Sequence, residues 1–211
     1  MSRVTRSKAT ARSTYDRLSC WYDLLAGPGE RRLTGVALDK LAARPGEVVL
    51  EIGPGAGRAL ARLARSVGVG GGVYGLDLSP GMLREARRRG SGVRLLRGDG
   101  ARLPFRAGVF DAVFMSFTLE LFDTPEIAAV LRECARVLKD GGRVGVAALA
   151  QEGGSRGAVR LYEWAHQTFP ALVDCRPIRA ARALEESGFR VRERKNESVW
   201  GLPVEIVIAY R

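Results

Sequence analysis

The chain has 211 residues, 46% of them hydrophobic, enough for one α/β domain with a real core and too apolar for wholesale disorder. No apolar run approaches the roughly 20 residues of a membrane span, and the basic N-terminus leads into no apolar signal-peptide segment. The net charge of +11 favours anionic partners, nucleic acid or an acidic membrane surface, although a merely solvated arginine-rich face accounts for it equally.

Residues 1–12 carry Arg3, Arg6, Lys8 and Arg12 with no acid and read as a basic mobile tail ahead of one domain over 13–211. Ser13 to Ala26 predicts a helix with Tyr15, Leu18, Trp21, Tyr22, Leu24 and Leu25 on one side. A second helix over Glu30 to Ala43 leads into the first strand, so that 13–43 form a helical cap and lead-in. Val48 to Ile52 is a strand with a carboxylate, Glu51, near its end. Gly53, Gly55 and Gly57 follow as alternate glycines, and Ala59 to Val67 has helical composition. Glycines let a ligand approach the backbone, and the helix that opens there presents N–H groups. The strand Val73 to Leu76 then ends in Asp77, placed to take both hydroxyls of a ribose. The spacing is G-x-G-x-G, not the G-x-G-x-x-G of dinucleotide sites, and Glu51 would repel a pyrophosphate but suit a cation.

Ser79 and Pro80 suit the N-cap and first position of a helix running to Arg89 and stopped by Gly90. Strand three is Val93 to Arg97, and strand four is Gly108 to Phe117. Ligands of open parallel sheets sit beyond the carboxyl ends of the strands, which puts Ser116 to Glu120 where an acceptor would approach. Glu126 to Leu138 is a helix, the glycines of Lys139-Asp140-Gly141-Gly142 form a turn, and Val144 to Leu149 is the fifth strand. A glycine-rich loop and a helix over 158–169 carry His166, the only histidine. A helix over Arg179 to Ser187 and strands over 189–197 and 204–210 complete the chain. Cys20, Cys134 and Cys175 are odd in number and far apart, which suits a reduced, cytoplasmic setting and makes no metal motif.

Glu51-Ile52-Gly53-Pro54-Gly55-Ala56-Gly57, Asp77, Gly98-Asp99-Gly100-Ala101-Arg102-Leu103-Pro104-Phe105 and Phe110-Asp111-Ala112-Val113 together resemble the class I S-adenosylmethionine-dependent methyltransferases. The segments Tyr15-Asp16, Trp21-Tyr22-Asp23, Phe169 to Pro177 and Trp200 to Val207 resemble the ubiquinone/menaquinone C-methyltransferases and bacterial phospholipid N-methyltransferases. The resemblance implies a single doubly wound, Rossmann-like α/β domain with a seven-stranded, mostly parallel sheet and an antiparallel last strand. It implies S-adenosylmethionine as methyl donor, S-adenosylhomocysteine as product and no metal. It implies donor contacts from Tyr22, Glu51, Gly53, Gly55, Gly57, Asp77, Leu78, Met82, Gly98, Asp99, Gly100 and Ser116. Tyr22 and Met82 are also read as packing residues, and Asp99 as a turn residue.

The reaction implied is in-line displacement of a methyl group from a sulfonium. An acceptor that must lose a proton needs a base, and Glu120, Tyr15 and His166 are the candidates in that order. A lone histidine on a helix is more often a surface or packing residue, and His166 reads so first. The acceptor expected is lipid-like, a quinone precursor or phospholipid headgroup, reached by a cytoplasmic enzyme that can touch the inner face of an anionic membrane. An RNA methyltransferase rests mainly on the charge, with no RNA-binding module in support. A soluble metabolite as acceptor and a non-enzymatic regulatory subunit are the further alternatives.

Overall fold

The computed structural model describes residues 27–89, 92–153 and 176–211. The basic tail, the aromatic cap segment with Tyr15, Tyr22 and Asp23, the stop at Gly90, and the helix expected around His166 lie outside the described residues.

The chain runs α1 (Gly27–Leu41), β1 (Val48–Ile52), α2 (Arg58–Val67), β2 (Gly72–Asp77), α3 (Pro80–Arg89), β3 (Val93–Arg97) and β4 (Phe110–Ser116). A 3-10 turn (Leu119–Leu121) follows, then α4 (Thr124–Val137), β5 (Leu138–Leu149), α5 (Ala180–Glu186), β6 (Arg190–Val199) and β7 (Leu202–Tyr210). The strands form one seven-stranded sheet in the order β3-β2-β1-β4-β5-β7-β6. β1 to β5 are parallel, and β7 runs antiparallel to both β5 and β6. This is the expected Rossmann-like sheet with its antiparallel last strand.

The central strands are apolar on both faces, as a sheet covered by helices on both sides requires. Val49, Val73 and Phe114 pack against Leu33, Ala37 and Leu41 of α1, Leu60 and Leu63 of α2, and Ala86 of α3. Leu50, Leu76, Val113 and Met115 pack on the opposite face against Val130, Leu131 and Cys134 of α4 and Leu184 of α5. The chain reverses its direction of travel across the sheet between β1 and β4, the crevice where such folds bind ligands.

Most boundaries shift by a residue or two from expectation, and two shift further. α1 starts at Gly27 and ends at Leu41, because Ala42 takes a left-handed backbone at φ 50°. β5 starts at Leu138, not Val144. Leu138 pairs with Phe110 and Arg143 with Ala112, so Lys139 to Gly142 bulge out of the ladder, with Gly141 at φ 73°. The expected turn is therefore a bulge inside a strand.

Buried polar side chains fasten distant segments. Arg143, 8% exposed, donates through Nε to the Leu41 carbonyl at 2.6 Å and through Nη2 to the Ala42 carbonyl at 2.9 Å. It also pairs with both carboxylate oxygens of Glu47, at 3.0 and 2.7 Å. One guanidinium thus closes the end of α1 onto β5. Arg136 of α4 donates to the Phe105 and Leu103 carbonyls, and Glu133 accepts the Leu103 amide. That pair holds the Leu103-Pro104-Phe105 segment that follows β3.

Candidate functional site

Glu51 lies in β1 and is only 2% exposed. Its Oε2 has no hydrogen-bond partner among the described residues. Burial first, and the nearby Asp77 carboxylate second, push its carboxyl up to about 8 against the Leu60 amide of α2, which donates to it and lowers it. A buried acid with an unmatched oxygen at a cavity wall is a receptor for a donor or a cation.

The glycines after it serve different ends. Gly53 has φ 68°, and a Cβ there would lie 2.4 Å from Thr118 Cγ2. Its amide donates to the Leu76 carbonyl, and the Thr118 hydroxyl donates to its carbonyl, so the loop is tied to β2 and to the segment after β4. Gly57, at φ 82°, caps α2, and a Cβ there would meet Ala86 Cα at 2.8 Å. Its small size lets α2 pack on α3. Gly55 keeps φ 51° at the cavity wall.

A cavity of about 210 Å³ joins the loop to two other elements. Glu51, Gly53, Gly55 and Ala56 line one side, Ser116 and Phe117 at the end of β4 line another, and Glu30, Thr34 and Leu38 of α1 line a third. Arg31, Arg58 and Arg62 also border it. Ser116 Oγ and Thr34 Oγ1 are hydrogen bonded at 2.8 Å, which joins α1 to the strand end. Phe117 is held at φ 51°, a left-handed conformation unfavourable for a bulky side chain, by its amide bond to the Ala147 carbonyl at 2.7 Å.

Asp77 ends β2, and its Oδ1 accepts the Ser79 amide at 2.8 Å. Ser79 Oγ in turn accepts the Met82 amide and caps α3. Leu78 is half-buried and Met82 fully buried. Past β3, Gly98 donates to the Asp77 carbonyl, and Asp99 Oδ1 accepts the Ala101 amide at 3.0 Å. Gly100 is buried, where a Cβ would meet Phe122 Cζ at 3.0 Å and Ile52 Cγ2 at 3.1 Å. The structure thus brings Glu51, Gly53, Gly55 and Ser116 to one cavity and gathers Asp77, Leu78, Gly98, Asp99 and Gly100 beyond the adjacent strand ends. Gly57 and Met82 serve packing.

Glu120 sits in the 3-10 turn, fully buried, with Oε1 accepting the Leu149 amide at 3.1 Å. It does not line the cavity. Tyr15, Tyr22 and His166 lie outside the described residues. Sequence reasoning missed Glu30 and Thr34. The signal was the Glu30–Thr34–Leu38 spacing, one stripe of α1 in which a carboxylate and a hydroxyl join an apolar residue.

Sheet order, crevice and glycine loop give the chain a Rossmann-like α/β fold similar to that of solved S-adenosylmethionine-dependent methyltransferases. Residues 49–142 match a family model described as "Methyltransferase domain", a span that includes Glu51, the glycine loop, Asp77, Asp99 and Ser116. Nocamycin O-methyltransferase of Saccharothrix syringae is 39% identical over 137 residues, covering 63% of this chain and 48% of that protein. Demethylmenaquinone methyltransferase of Beutenbergia cavernae is 42% identical over 125 residues, covering 59% and 50%. The chain spans about half the length of the curated relatives it matches. A solved S-adenosylmethionine-dependent methyltransferase from Aquifex aeolicus shares the fold at a TM-score of 0.69 and 23% identity, over 91% of this chain and 97% of that one.

The residues present fit S-adenosylmethionine, the donor named for that neighbour. The orphaned Glu51 oxygen suits its cationic amino-acid end, the close-approach loop suits its sulfur side, and Asp77 suits ribose hydroxyls. Among the described residues no group of His, Cys, Asp and Glu could hold a metal ion, and no helix is long and apolar enough to cross a membrane.

Proposed function

We propose that this chain transfers a methyl group from S-adenosylmethionine to a small, lipid-like acceptor, a quinone precursor in its hydroquinone form. The observation that carries the reading is the single cavity joining the Glu51–Gly55 loop to Ser116, Phe117 and α1. Donor and acceptor would meet there. When bound, the donor supplies a methyl group already activated by positive charge on sulfur. Glu51 would neutralise the donor's cationic end, the loop would admit it, and Asp77 would orient the ribose. The chain's remaining task is to align a nucleophile with the methyl carbon.

The names of the relatives support the acceptor class: a demethylmenaquinone methyltransferase, and a 2-phytyl-1,4-naphtoquinone methyltransferase of Nostoc punctiforme at 33% identity over 139 residues. The test is to incubate the purified protein with methyl-labelled S-adenosylmethionine and, separately, total membrane lipid, total RNA and a polar metabolite extract. Label in a quinone fraction is the expected result. Label in phospholipid headgroups would move the acceptor within the lipid class. Label only in RNA or in the polar extract would refute the reading.

A further inference from the structure

α1 turns a stripe of side chains toward the cavity at intervals of four residues: Glu30, Thr34 and Leu38. A helix packed on a sheet ordinarily fills such a stripe with apolar groups, as Leu33, Ala37 and Leu41 do on the same helix. Glu30 breaks that rule. It occupies the first turn, and Thr34 one turn later bonds to Ser116 Oγ at the end of β4. Glu30 therefore lines the same cavity as Ser116, at the strand end where an acceptor approaches, and as Glu51 and the loop. Glu120, by contrast, accepts the Leu149 amide through Oε1 and does not line the cavity.

We propose that Glu30 is the proton acceptor of the methyl transfer, a role that rests on the acceptor reading above. The acceptor's ionisable proton passes to the Glu30 carboxylate. If oxygen is the methylated atom, the pair left on it forms the new bond to the methyl carbon; if a ring carbon is, that pair folds into the ring, a ring π pair forms the bond, and the carbon's proton moves to the oxygen as aromaticity returns. The pair of the methyl–sulfur bond stays on sulfur, which goes from sulfonium to thioether. The proton leaves Glu30 for water when the product departs.

The surroundings suit that role. Burial alone lifts the Glu30 carboxyl to about 7, where a base is half ionised at neutral pH and still strong enough to take a proton. The charged groups around it are Arg31 on its own helix, Glu51 on β1, and Arg58 and Arg62 on α2. β6 presents Glu193 and Glu197 to α1, where they pair with Lys40 and Arg32. Arg143 of β5 meets α1 at its far end. Among the described residues no cation pairs with Glu30.

The test compares wild type with Glu30→Gln and Glu30→Asp in three measurements. In the protein without donor, the stability difference between wild type and Glu30→Gln should change between pH 5 and 8. A flat difference would overturn the proposal. S-adenosylhomocysteine affinity by calorimetry should stay within threefold. Transfer of labelled methyl to a short-chain 2-alkyl-1,4-naphthohydroquinone should lose kcat by about 100-fold or more in Glu30→Gln, with partial recovery in Glu30→Asp. The rise of wild-type kcat/KM through about pH 7 should flatten in Glu30→Gln. A tenfold loss of S-adenosylhomocysteine affinity with unchanged kcat would assign Glu30 to the donor and overturn the role. A wild type that binds S-adenosylhomocysteine but leaves the hydroquinone unmethylated would remove this role together with the acceptor reading. A wild type that binds no S-adenosylhomocysteine would remove the methyltransferase reading itself.

Discussion

Replacing Glu51 with Gln separates what the buried acid costs the fold from what it gives the ligand. In the folded protein Glu51 titrates at about 8, against an ordinary value of 4.5. At pH 7 the folded chain therefore holds a proton that the unfolded chain has released. The sign follows: the folded value is raised, so the contribution is intact below about pH 4.5 and is lost as pH climbs toward 8. Between those limits the loss is about 1.4 kcal/mol per pH unit, or about 3 kcal/mol by pH 7. Gln cannot titrate, so Glu51→Gln should lack this slope. Urea denaturation of both proteins at pH 5, 6, 7 and 8 reads the difference directly. For a chain of this size, about 3 kcal/mol corresponds to a melting shift of roughly 6–12 °C. Binding should respond oppositely. A cationic ligand beside Glu51 favours the carboxylate, so S-adenosylhomocysteine should release a proton on binding to wild type near pH 7, and Glu51→Gln should bind it at least tenfold more weakly. Parallel stability curves across pH 5–8 would refute the reasoning, because they would mean that Glu51 is not protonated in the fold.

Substitutions at three further positions test the scaffold and the ligand site. Gly57→Ala places a Cβ 2.8 Å from Ala86 Cα at a backbone φ of 82° and should cost about 2–5 kcal/mol in chemical denaturation, from left-handed strain and overpacking together. Arg143→Met leaves Glu47 and two carbonyls at the end of α1 without their cation and should cost about 3–5 kcal/mol; Arg143→Lys should rescue little, since an ammonium cannot span four acceptors. Asp77→Asn keeps an acceptor for the Ser79 amide, so its melting temperature should hold while calorimetry shows S-adenosylhomocysteine bound about tenfold more weakly, a loss of about 1.4 kcal/mol.

What was legible in the sequence was local. The strand ending in Glu51, the alternate glycines, the acid closing β2 and the Ser79 cap are each written within a few consecutive residues, and backbone sterics dictate their shapes. The illegible parts depend on which way a side chain turns. Glu120 follows β4 as a base might, yet it points inward to an amide 29 residues away. Glu30 looks like an ordinary acid in a first helical turn until α1 is laid on the sheet and its stripe meets Ser116. Arg143 follows a glycine pair that reads as a turn, and its partners Leu41, Ala42 and Glu47 lie about a hundred residues earlier. The roles of the three glycines show the same limit. The pattern announces close approach, but only the packed structure shows that Gly57 meets a helix.

β7 lies between β5 and β6, and every ladder pairing of β6 is made to it. Its residues Val204 to Ala209 are all buried. A strand joined this way is the keystone of its half of the sheet. β6 can join only as the outer arm of a hairpin already formed through Val199 and Leu202. The parallel half, with Glu51 and the glycine loop, has no hydrogen-bonded ladder to that hairpin except along β5. The glycine loop and the closing hairpin therefore sit on separate ladders that meet only at β5. A chain caught before β7 inserts would carry a formed loop on a sheet whose β5 edge still lies open to water and to other chains.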